Sequence, residues 1–150
     1  MLVNKRKAIK TSYVISIFIA FFLFGSQELV ANTESPTVYF INLQNDDKTP
    51  TTFVVQFGLK GLGIAPAGIQ IPSTGHHHLL IDYPTLPNLK NPLGANDNIK
   101  HYGKGQTEAV LTLSPGKHTL QLVLGDHEHV PLSPPVLSEK ITIEVSQQTK

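Results

Sequence analysis

The side chains of this chain best equipped for chemistry are its histidines. Six of the seven gather in two stretches, His76-His77-His78 and the run from His118 to His127-x-His129, while His101 stands apart. Imidazole is the commonest side-chain metal ligand and the one group that titrates near neutral pH. Little else competes with it, because charged residues make up 15% of the chain and there is no cysteine or tryptophan. A cysteine nucleophile and a thiolate zinc site are therefore excluded. The single methionine is the initiator, so no thioether remains to hold copper(I). No serine sits in a strained nucleophile-elbow motif.

Period-two geometry sorts the triplet on a strand. His77 shares a face with Leu79 and Ile81, which reads as a packed, hydrogen-bonded core position. His76 and His78 share the other face with Leu80 and Asp82, and are expected to be the accessible pair, about 7 Å apart at the backbone. His127 and His129 repeat that spacing, and Asp126 could ligate or orient a ring. The expected ligands are thus His76, His78, His127, His129 and Asp126, with His77 and His101 in support. His101 reads either as a further ligand from a loop or as a surface side chain. The competing role for both clusters is a polar network that braces the rim of the fold. His118, directly after a turn, reads as a corner residue bonding back to the backbone, and Asp82 as a turn-former.

The elements that must position these residues are all β. Eleven prolines and eleven glycines cut the chain into short runs, and no window sustains helical periodicity. Strands are predicted at Val38 to Leu43, Phe53 to Leu59, His76 to Asp82, Glu108 to Leu113, His118 to Leu124 and around Ile141, Ile143 and Val145. A short strand is expected near Ile69 to Ile71 within a glycine-rich connection. The proline-broken segment Tyr83 to Gly105 is read as functional or poorly ordered. This pattern predicts an immunoglobulin-like Greek-key β-sandwich. In that fold the third and penultimate strands are antiparallel neighbours. The start of one then lies beside the end of the other, which brings both histidine clusters to one rim.

The first 31 residues read as a cleavable signal peptide. Lys5, Arg6, Lys7 and Lys10 precede an apolar run, Tyr13 to Phe24, that is short for a bilayer span. Cleavage after Ala31 leaves residues 32–150 as a single domain, periplasmic or secreted, with no stable membrane span; the alternative is an uncleaved anchor. Lys5, Arg6, Lys7, Lys10 and Glu28 leave with the leader. The 12 basic and 11 acidic residues of the whole chain, net +1, then become 8 and 10, net −2. No basic patch interleaved with aromatics remains, so nucleic acid is excluded as a partner.

Four strings carry a resemblance: TGHHHLLID (Thr74 to Asp82), YGKGQTE (Tyr102 to Glu108), LSPGKHTLQLVLGDHEHVP (Leu113 to Pro131) and PPVLSEKITI (Pro134 to Ile143). Across Val55 to Val145 the chain resembles the bacterial family called domain of unknown function 4399. Its YGKG departs from a more glycine-rich stretch expected there. The resemblance implies a small exported domain without an established activity, and histidines that belong to the motif.

The functional expectation is an exported, non-enzymatic domain that binds a divalent transition metal, copper(II) or zinc, at a histidine-lined rim. The alternative is a structural or protein-interaction module of the cell envelope, whose partner would be an envelope protein. A third reading is a hydrolytic metalloenzyme using Glu128 as general base.

Overall fold

A computed structural model describes residues 34–147. The expected signal peptide and its cleavage site lie outside the described residues. Nine strands follow one another along the described chain: β1 Thr37–Phe40, β2 Lys48–Pro50, β3 Thr52–Lys60, β4 Gly63–Ile64, β5 Thr74–Ile81, β6 Ile99–Tyr102, β7 Glu108–Thr112, β8 Gly116–Gly125 and β9 Ile141–Ser146. One sheet has the order β1-β3-β7. The other runs β2-β9-β8-β5-β4, with β6 also pairing to β5. Strands distant in sequence lie side by side in each sheet, and β2 runs parallel to β9 at the edge. This is an immunoglobulin-like Greek-key sandwich.

Alternation explains the core. Val55 and Phe57 of β3 face Leu79 and Ile81 of β5, Leu120, Leu122 and Leu124 of β8, and Ile141, Ile143 and Val145 of β9, all buried in one cluster. Each such side chain stabilises the fold by about 1.5–3 kcal/mol relative to exposure. A second, smaller cluster lies on the opposite face of β5, where Leu80, Leu93, Ile99 and Val123 pack together. Leu93 arrives from the proline-broken segment, which is therefore a fitted cover over the outer face of the sheet. Its turn is built by Asn96, whose Oδ1 accepts from the amides of Asn98 and Ile99 at 2.8 and 2.9 Å. The segment ends in β6.

Three sequence expectations change. The strand expected near Ile69 to Ile71 is absent. Gly63–Ile64 pairs with β5 instead, and Ile69 and Ile71 are exposed. Lys48–Pro50 forms a strand too short to carry a periodic signal. His101 lies on β6 rather than in a loop.

Candidate metal centre

The register of β5 with its two neighbours builds the site. His76 sits opposite Gly125 of β8, and His78 opposite Val123 on that side and His101 of β6 on the other. His129, just past the end of β8, therefore meets His76 and His78 at one rim, as the antiparallel pairing of β5 with β8 requires. The chain leaves β8 at Gly125 into a tight loop. The Asp126 amide donates to the Val130 carbonyl at 2.8 Å, and the His129 amide to the Asp126 carbonyl at 3.0 Å. The Asp126 carboxylate accepts from the amides of Glu128 and Val130 at 2.8 and 2.9 Å. These bonds hold His129 in the left-handed region, φ 68°, and turn its ring onto the strands.

One ring nitrogen from each of His76, His78, His101 and His129 lies within 4.8 Å of the others. Ring centroids are 4.7 Å apart for His76–His78, 5.0 Å for His78–His101 and 4.6 Å for His101–His129. His129 Nδ1 and His76 Nε2 are 3.2 Å apart. Nitrogens held about 2 Å from a tetrahedral ion stand roughly 3.3 Å from one another, so modest ring rotation closes the set.

Two glycines make room for the rings. A Cβ on Gly125 would lie 2.7 Å from His78 Cε1, and one on Gly103 would lie 2.2 Å from His101 Cε1 and Nε2. The pocket is also poor in partners. His76 Nδ1, both nitrogens of His78 and His101 Nε2 are buried without a hydrogen bond. Buried polar groups are nearly always satisfied, so this concentration calls for an explanation. Burial holds the His76 pKa down to about 4, with further lowering from His101 and His129. Burial first, then the neighbouring imidazoles, bring His78 to about 3. His101 is lowered by burial and by His129. All three are neutral at pH 7, the state a metal ligand needs.

Of the residues singled out from sequence, His76, His78 and His129 come together, and His101 completes the group. His76 and His78 are not accessible as expected but 0% exposed, because the proline-broken cover and the Asp126–Val130 loop close over that face. His127 is outside the converging set. It borders a surface cleft with Asp126 and the Ile69–Thr74 segment, and its carbonyl accepts from the Gly68 amide at 2.9 Å. Asp126 shapes the loop through its carboxylate. His77 points into the sandwich, 5.1 Å from the Phe57 ring, with Nδ1 3.2 Å from the Gln106 carbonyl, and burial lowers its pKa.

His118 braces a corner. Its Nδ1 is 2.7 Å from Asp82 Oδ2, and its Nε2 donates to the Ser114 carbonyl at 2.8 Å. Ser114, His118 and Asp82 are the residue types of a hydrolase triad. Here, however, the imidazole Nε2–H is spent on a backbone carbonyl, leaving no base for the hydroxyl. The sequence signal for His101 is weak, because Ile99-Lys100-His101-Tyr102 buries only its two ends and shows no alternation.

Among solved structures, the endo-beta-1,4-mannanase from Thermotoga petrophila aligns at TM-score 0.49 and 13% identity, over 79% of this chain and 21% of that one. The fibronectin(III)-like modules of Clostridium thermocellum CbhA align at TM-score 0.39 and 9% identity, over 75% and 46%. The chain thus spans less than half the length of either. No curated protein matches it. The model of the family described as Domain of unknown function (DUF4399) matches residues 55–146, which contain all four converging histidines, and the chain belongs to that family.

Proposed function

We propose that this is an exported, non-enzymatic binding domain that holds one divalent transition-metal ion, zinc or copper(II), through His76, His78, His101 and His129. One observation carries the reading: His78 is 0% exposed, both its nitrogens lack a partner, and three more imidazoles converge on it. A bracing network would use those nitrogens in hydrogen bonds. The four rings share one, between His129 and His76. Four imidazole nitrogen donors without thiolate suit zinc or copper(II). They also fill a tetrahedral shell, leaving none of the open positions that a catalytic ion needs.

Titration calorimetry on chelator-stripped protein tests the proposal. One-to-one binding of zinc and copper(II) at micromolar or lower concentration is expected, lost in His76→Ala/His129→Ala and kept in His127→Ala. No heat with the unaltered protein ends the reading. Export is part of the same proposal and rests on the basic, then apolar, leader. No helix among the described residues is long and apolar enough to cross a membrane. The mass of the chain recovered from the periplasm or medium is expected to begin at Asn32, and a chain retaining residues 1–31 in the cytoplasm would overturn it.

A further inference from the structure

Three of the four converging histidines stand on the paired strands β5 and β6, while His129 alone arrives on a loop. The Asp126–Val130 loop has attachments on its other side. The His127 carbonyl accepts from the Gly68 amide, and the His129 carbonyl accepts from the Leu93 amide, both at 2.9 Å. Gly68, at φ +80°, opens the segment that carries exposed Ile69 and Ile71. Leu93 is the plug of the proline-broken cover over the outer sheet face. His129 is thus pulled three ways: its ring to the cluster, its N–H to Asp126, its C=O to Leu93.

Resting on the metal site proposed above, we infer that occupancy of that site is transmitted to two surface segments, 66–73 and 88–96, through the Asp126–Val130 loop. The strand histidines are fixed by the sheet whether or not an ion is bound. The loop is the part that can yield, because it is outside the ladder and holds a non-glycine residue in the left-handed region, which persists only where its surroundings over-determine it. An ion bonded to the His129 ring adds a further restraint to those that the Asp126 bonds supply. Without the ion, the four rings share one hydrogen bond among them. Swinging His129 outward then relieves its backbone and rehydrates its ring. That movement removes the acceptors of the Gly68 and Leu93 amides together. The domain is in this way a metal-responsive element, whose surface near Ile69, Ile71 and Leu93 reports whether the ion is present.

Amide hydrogen exchange on the isotopically labelled protein, followed residue by residue with and without zinc, tests the inference. Zinc is expected to slow exchange at Gly68 and Leu93 at least tenfold. The amide of Ser138, bonded to the Leu122 carbonyl at 3.0 Å away from the loop, serves as the reference and is expected to change far less. In His129→Ala, which keeps the three strand ligands, residual zinc binding is expected without the added protection at Gly68 and Leu93. Zinc binding seen by calorimetry with unchanged exchange at both amides overturns the coupling and leaves the metal site standing. Equal slowing at Ser138 overturns it too, since that is global stabilisation. Absence of any zinc heat removes the metal site and the coupling with it.

Discussion

At the scale of the residue, His78 is fully buried with both ring nitrogens unpartnered, an arrangement that a bound ion would relieve. An unsatisfied buried polar group costs about 1–3 kcal/mol, so His78→Leu is expected to make the metal-free protein more stable by roughly that amount while abolishing metal binding. Urea unfolding paired with calorimetry checks both halves. A destabilised variant would favour a bracing role for the ring. Gly125 and Gly103 act on the same site by leaving space. Adding the single methyl of alanine at either position forces the His78 or His101 ring aside. The expected loss of zinc affinity is about tenfold to hundredfold, the range found for residues that orient ligands, with circular dichroism unchanged.

At the scale of the element, the corner between the end of β5 and the start of β8 depends on His118. Asp82 leaves β5 at φ 52° and turns its carboxylate back to the Thr119 amide, 2.8 Å away, and to the His118 ring. Burial alone would lower the His118 pKa, but the hydrogen bonds to Asp82 and the Ser114 carbonyl outweigh it and raise it above 6.5. The stability this contributes is fully present below the unfolded pKa and lost as pH rises through the folded value. His118→Gln is therefore expected to destabilise by about 1 kcal/mol near pH 6, reduced from a fully buried pair by the exposure of Asp82, and by less near pH 9. Denaturant midpoints at the two pH values check it. The long strands were legible because Phe53, Val55 and Phe57, like Leu120, Leu122 and Leu124, alternate strictly. Their order then brought His76, His78 and His129 together on paper. His127 falls outside the set because Asp126 coils the loop, which sends two residues spaced by two to different surroundings. His101 is hard to place from sequence because its strand, Ile99–Tyr102, is four residues long and too short to show a period. The burial of His76 and His78 depends on the rings of His101 and His129, which pack on them from two other segments, and no local pattern reveals such contacts.

At the scale of the whole molecule, the buried imidazoles make folding sensitive to acid. The folded pKa values of about 4 for His76 and about 3 for His78 lie below the ordinary 6.5 of an imidazole, with His77 and His101 lowered as well. The unfolded chain takes up protons first as pH falls, so stability is present above pH 6.5 and drains away toward pH 4 and 3. Lowering the pH from 7.5 to 5 is expected to remove roughly 2 kcal/mol or more, read from urea midpoints. Zinc at a hundredfold excess over its dissociation constant adds about 2.7 kcal/mol, a rise in Tm of roughly 10 °C for a domain of this size. A melting curve indifferent to zinc would contradict the proposed site.

The parallel pairing of β2 with β9 has a mechanical consequence. Lys48, Thr49 and Pro50 lie beside Glu144, Val145 and Ser146, and the Lys48 ammonium sits 3.7 Å from the Glu144 carboxylate. When the two ends of the polypeptide are drawn apart, these strands are dragged in opposite directions along their length. Their hydrogen bonds then bear load side by side rather than parting one after another like a zipper.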